Sequence, residues 1–404
     1  MFLENKYKMF STVNNYLSGV LHAVEDYDGE ALGTYLSLRD VHVQNHNLYI
    51  AQPEKLVERF LKPPLDEVVT AHMKVLYHLA QDPPDYMEAY NQQAAACGAV
   101  VRLLQQLKDE NWCLPLMYRV CLDLRYLAQA CEKHCRGFTP GNILEKAADC
   151  MMACFRVCAA DGRASEEDTK RLGMMNLINQ LFKIYFRINK LHLCKPLIRA
   201  IENCNFRDSF PLPEQITYKY FVGRRAMFDS NYQAAVEDLS YAFTHCPDRF
   251  ASNKRLILIY LVPVKMLLGY LPRKSLLQRY DLLLFHDLAQ ALKAGNVKRF
   301  DEIVREQELV LIRSGIYLLV EKLKFIVYRN LFKKVFAIRQ THQLDMGDFL
   351  SALQFVGVTD VSLDETHCII ANLIYEGKIK GYISHIHNKL VVSKQIPFPP
   401  LLST

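Results

Sequence analysis

The chain is short of the residues that mark several protein classes. Glycine and proline number 16 each in 404 residues, and tryptophan occurs once. That is too few turn-formers for the frequent tight corners of an all-β sandwich. No secretory apolar core occupies residues 1–20, because Asn5, Lys6, Lys8, Asn14 and Asn15 interrupt it. The longest apolar run, Leu256–Val264, is too short to cross a bilayer, so no membrane partner is expected. Neither charge sign dominates: 49 Lys and Arg against 43 Asp and Glu leave +6, which permits contact with nucleic acid without requiring it. G-x-S-x-G, H-E-x-x-H and phosphate-cradling glycine loops are all missing. No enzyme and no cofactor are expected.

Cysteine, by contrast, is plentiful at twelve residues. Without a secretory signal, reduced thiols are the expectation. No C-x-x-C pair occurs. Cys150, Cys154 and Cys158 repeat at i, i+4 and i+8 beside Met151 and Phe155, the pattern of a buried helix face. Cys131, His134 and Cys135 could reach one ion from a single helix turn, but no second ligand pair follows at zinc-site spacing. No metal site is expected.

Apolar periodicity near 3.6 runs as far as about Gln343, so the chain reads as mainly α. Tyr7, Phe10, Val13, Tyr16, Leu17 and Val20 form the first stripe, interrupted at Asp26–Gly29. His42 and His46 lie in a polar stretch that reads as a surface loop, and Trp112 reads as a packing anchor between two helices. The stretch GFTPGN (Gly137–Asn142) is a linker. With Gly223 as the helix-crossing glycine of the 34-residue tetratricopeptide pattern, Tyr232, Ala235, Ala242 and Pro247 fall on later positions of that repeat. Leu239 and Ala226 depart from it. The flanking helix pairs extend this hairpin into a solenoid. Pro263 falls inside a further helix, and Gly315–Gln340 is a long helix with one apolar side.

The last segment changes character. Met346–Phe355 is a short helix with Phe349, Leu350, Leu353 and Phe355 apolar. Ser362 and Glu365 then form an S-x-x-E capping box. Behind that cap, Cys368, Ile369, Ala371, Leu373 and Ile374 recur at helical spacing, and Gly377 sits where a left-handed cap belongs. Ile379, Gly381 and Ile383 alternate with Lys378, Lys380 and Tyr382 as one strand, and Leu390–Val392 is a second. Helix, turn, capped helix and hairpin is the order of a winged helix. The expected division is 1–142 for N-terminal helical repeats, 143–340 for a TPR-like helical stack, and 341–404 for the winged helix and a proline-rich tail.

A right-handed TPR-like solenoid closed by a winged helix resembles the PCI domain, shared by subunits of the proteasome lid, the signalosome and a translation initiation factor. Asn179–Ile201, Val222–Ser230, Tyr328–Val335 and Lys389–Leu401 resemble, in long runs, the PCI subunits of nuclear transcription-coupled mRNA-export complexes. The resemblance implies a non-catalytic scaffold whose winged helix lies beside that of a larger PCI-containing scaffold protein. It further implies a small acidic disordered protein along the stack, RNA or single- or double-stranded DNA on the paired surface, and an indirect link to nuclear pores. The implied location is the nucleus and its envelope, with the cytoplasm also open. The alternative is a PCI subunit of another assembly of lid, signalosome or initiation-factor type. Lid-type subunits resemble this plan but continue past the wing as a helix, which Pro397, Pro399 and Pro400 oppose here.

On this plan Lys378, Lys380, Lys389 and Lys394 on the wing, with Arg329, Lys333 and Lys334 on the supporting helix, are candidate phosphate contacts that neutralise charge without reading bases. Tyr382 is the one candidate for base stacking. Lys219, Arg224, Arg225, Lys254 and Arg255, beside Tyr218 and Tyr220 read as exposed, are the candidate contacts for the acidic partner.

Overall fold

Amphipathic stripes of this length form helices only where their apolar faces find partners, and nineteen α-helices do so among the described residues. The computed structural model describes residues 12–107, 110–162, 167–206 and 208–401. The expected stripe positions Tyr7 and Phe10 lie outside them. Two compact units divide at Tyr218 and Lys219.

The first unit opens with α1 (Val13–Glu25), α2 (Gly29–Tyr35), α3 (Glu54–Val57) and α4 (Leu65–Leu79). It continues with α5 (Tyr86–Gln106), α6 (Leu114–His134), α7 (Asn142–Ala159), α8 (Met174–Arg187) and α9 (Cys194–Glu202). Thr12, Asp28 and Asp85 cap α1, α2 and α5 by accepting from Asn15 N, Ala31 N and Glu88 N. Neighbouring helices pack in sequence, α4 on α5, α5 on α6, α6 on α7 and α7 on α8. Trp112 meets Tyr27 edge-on at 5.5 Å.

Two expectations here are corrected. His42 is buried rather than in a surface loop, with its Nε2 2.9 Å from that of His72. A ring that shares a hydrogen bond and stacks on Tyr16 (5.6 Å) can leave water. Tyr218 is also buried, stacked on Phe182 at 6.0 Å.

The second unit carries the C-terminal part of α10 (Leu212–Phe228), then α11 (Tyr232–His245), α12 (Ala251–Leu267), α13 (Lys274–Arg279) and α14 (Leu284–Ala294). After α15 (Val297–Glu306) and α16 (Glu308–Ser314) comes the long α17 (Tyr317–Arg339). The tetratricopeptide hairpin is real at atomic level. A Cβ on Gly223 would lie 2.7 Å from Leu239 Cγ and 3.2 Å from the Ala235 carbonyl, so only glycine fits the crossing. Ala235 and Ala242 are fully buried.

The winged helix closes the unit with β1 (Gln343–Asp345), α18 (Met346–Phe355), α19 (Leu363–Tyr375), β2 (Gly381–Ser384) and β3 (Lys389–Val392). The sheet order is β1-β3-β2, antiparallel throughout, with Leu344 opposite Leu390 and Tyr382 opposite Val391. β1 is an addition to the expected hairpin. The chain is thus mainly helical, built of TPR-like helix pairs and ending in a winged helix.

Candidate nucleic-acid and partner interface

The winged helix is held by α17. Phe332, fully buried on that helix, meets Phe349 of α18 edge-on at 5.0 Å, and Arg339 pairs with Asp348. Within it, Ser362 Oγ accepts from Glu365 N at 3.2 Å while Glu365 Oε2 accepts from Ser362 N at 2.7 Å. Gly377, at φ +68°, turns the chain out of α19, and Lys378 N donates to Leu373 O at 2.8 Å in a Schellman closure. The tail folds back: Lys380 N donates to Pro397 O at 2.8 Å, and Phe398 is buried.

The buried faces differ from those read in the sequence. In α19 the buried residues are Thr366, Ile370 and Leu373, whereas Cys368 and Ala371 face solvent. In α18 they are Met346, Phe349 and Leu353, whereas Phe355 is 90% exposed. Apolar character alone did not fix the face, because the helices are apolar on more than one side. The surplus side chains Phe355, Tyr375 (91% exposed) and Ile386 (93%) are therefore free of the domain's own core. They occupy the ends of α18 and α19 and the turn of the wing; the sequence pattern puts Phe355 on the apolar face of its helix and does not single out Tyr375 or Ile386.

Of the candidate phosphate contacts, Lys333, Lys380 and Lys394 are exposed, and Lys378 and Lys389 half-exposed. The strand pairing groups Lys380 with Lys394, since Ser393 N donates to Lys380 O at 2.8 Å. Lys389 sits at the other end of β3, about 10 Å along the strand, opposite Ser384. Alternation puts Lys389 and Val391 on the outer sheet face with Tyr382, which is 62% exposed and open to stacking. Lys334 donates to the Ala294 carbonyl at 2.7 Å while keeping an exposed side. Arg329 is a correction. It is 6% exposed, and its Nη2 donates to the carbonyls of Phe398 (3.4 Å) and Pro399 (2.7 Å). A guanidinium spent on the tail does not meet phosphate.

The stack residues divide likewise. Arg225 is buried and bonded to both oxygens of Asp229 at 2.8 and 3.1 Å. Lys254 is buried, paired with Asp248 and 4.9 Å from the Phe243 ring centre. Both are withdrawn from any acidic partner. Lys219 pairs with Asp238 at 2.6 Å, Arg255 lies 3.8 Å from Asp281, and Arg224 stacks over Tyr260 at 4.2 Å, all partly exposed. Tyr220 packs beside Tyr260, and burial pushes its phenol up to about 12. The sequence did not reveal a groove of about 450 Å³ beside α16 and α17, lined by Phe228, Tyr232, Ile312, Leu318 and Lys322.

Comparison with known proteins bears on this arrangement. A PCI domain model matches residues 288–394, from α14 to the end of the wing. The chain is 90% identical over 97% of its length to the PCI domain-containing protein 2 homolog of Drosophila melanogaster, covering 99% of that protein. It is 50% identical over 97% of its length to PCI domain-containing protein 2 of Danio rerio, covering 98%. A more distant relative is the Protein CSN12 homolog of Mycosarcoma maydis, 31% identical over 78% of this chain and 76% of its own. The chain belongs to the PCI domain-containing protein 2 family.

Proposed function

We propose that the chain is a non-catalytic scaffold subunit of a nuclear transcription-coupled mRNA-export complex, and that its winged helix pairs with that of a larger PCI-containing scaffold to bind RNA or DNA. The observation that carries this reading is the set of nearly fully exposed apolar side chains on the winged helix, Phe355, Tyr375 and Ile386. Large apolar groups in contact with water are the material from which interface cores are made. Beside them Lys378, Lys380, Lys389 and Lys394, with Lys333 and Lys334 on α17, supply positive charge without a base-reading element. A small acidic disordered protein falls to Lys219, Arg224 and Arg255, all partly exposed, the first two lying over the rings of Tyr241 and Tyr260. Residence in the nucleus and near its pores, with a cytoplasmic share, follows from those partners.

The second reading, a subunit of another PCI assembly, draws on the relative named CSN12 homolog. Against a lid-type role stands the tail, which carries no helix over 393–400 and is committed to Arg329 and α17. Affinity purification of the tagged full chain from nuclear extract, with nuclease treatment and mass spectrometry, separates the two. A large PCI-containing chain and a small acidic protein are expected. Recovery of lid, signalosome or initiation-factor subunits instead overturns the export reading.

A further inference from the structure

Where α5, α6 and α7 pack together, three cysteines turn their sulfurs toward one point. Cys97 Sγ lies 3.6 Å from Cys154 Sγ, and Cys121 Sγ lies 4.0 Å from Cys154 Sγ. All three sulfurs lie within 4.8 Å of one another, and none of the residues is exposed. These separations are far beyond the ~2.05 Å of a disulfide, and the three are free thiols. A triangle with such edges has its centre about 2.4 Å from each corner, close to the ~2.3 Å of a metal–thiolate bond.

The donor set identifies the ion. No His, Asp or Glu joins the cluster among the described residues, so the ligands are sulfur alone. Hard cations take oxygen and are excluded. Zinc in a closed structural site takes four ligands and would be one short here. Copper(I) is soft, is selected by thiolates, and is satisfied by three sulfurs in a plane without water. We propose that Cys97, Cys121 and Cys154 form a buried three-thiolate site for copper(I). Each Cu–S bond replaces an S–H bond whose proton leaves to solvent, and no electron is transferred. Because the ligands come from three helices, 24 and 33 residues apart in sequence, the ion would join them and add its binding free energy to folding.

The test uses the full chain, reduced, stripped of metal and kept anaerobic, titrated with the acetonitrile complex of copper(I) against a chromogenic copper(I) chelator. One equivalent per chain is expected, with a thiolate-to-copper band in the near ultraviolet and an absorption-edge spectrum of three sulfur neighbours. The melting temperature rises with loading. Cys154→Ser should lose at least tenfold in affinity, and Cys150→Ser, on the same helix outside the cluster, should not. Should C154S fold poorly, the sulfur count in the wild-type spectrum still decides. Failure to compete with the chelator, preferential loading of zinc, a spectrum without three sulfurs, or wild-type affinity in a folded C154S overturns the assignment.

Discussion

The two units bury similar side chains and leave very different surfaces. Among the described residues, four large apolar side chains stand exposed in the first unit (Tyr27, Tyr126, Phe138 and Leu212) and sixteen in the second, which is the shorter. Cysteine runs the other way: ten of the twelve lie in the first unit, and the exposed one, Cys368, is in the second. The first unit spends its apolar and sulfur groups on its own core. The second keeps part of its apolar surface for something else, and most of that surplus falls on α16, α17 and the winged helix with its tail. Interaction capacity is therefore expected to concentrate in the second unit and fold stability to be separable from it.

The sharpest test of a surplus in the second unit is to change the same residue type in its core and on its surface. Phe332→Ala empties a fully buried site between α17 and α18 and should cost about 3–5 kcal/mol, seen as a lowered urea midpoint. Phe355→Ala should leave that midpoint within about 0.5 kcal/mol. Similar losses from both would erase the distinction between core and surplus.

The first unit should be the acid-sensitive one. Burial lowers His42 to about 4 and holds its neighbour His72 well below the ordinary imidazole value. The unfolded chain takes up these protons near pH 6.5 and the folded chain does not. The neutral pair is thus without penalty above pH 6.5, and stability is lost as pH falls toward 4, by roughly 3 kcal/mol for His42 alone. Asp123, raised to about 6 by burial, opposes part of this loss because its protonation favours the fold in the same window. Urea titrations from pH 7 to 4 should show a shallower loss in the H42F/H72F variant and a steeper one in D123N.

Charge on the wing is the next effect. Reversing Lys378, Lys380 and Lys389 together should weaken RNA binding by roughly tenfold or more near physiological salt and flatten its dependence on salt concentration by about one counterion per lost phosphate contact. An unchanged slope removes these lysines from the interface. The smallest effect is local: Ser362→Ala removes half of the capping box of α19 and should cost about 1 kcal/mol, measured by the same urea midpoint.

What the sequence displayed and what it hid follow from the range of the interactions. The capping box, the Gly377 turn and the β2–β3 hairpin were legible because each is complete within a few residues. Gly223 was legible because a repeat pattern states the crossing. Strand β1 was not: three residues become a strand only through Val391, Leu390 and Lys389, more than forty positions on. Arg329 looked like a surface cation until the carbonyls of Phe398 and Pro399 claimed it, and Arg225 and Lys254 until Asp229 and Asp248 did. The sulfur triangle joins three helices and obeys no local spacing. Phe355, Tyr375 and Ile386 were hidden for the opposite reason, since an apolar residue in a helix or hairpin reads as core until the core is seen to be full.

The most direct test of the account is to recover the winged-helix partner with wild-type bait and with the F355S/Y375S/I386S variant, after nuclease treatment and with folding verified by urea midpoint. The account predicts that the variant folds like the wild type and loses the large PCI-containing partner. A variant that folds and still retains that partner at wild-type yield would contradict it.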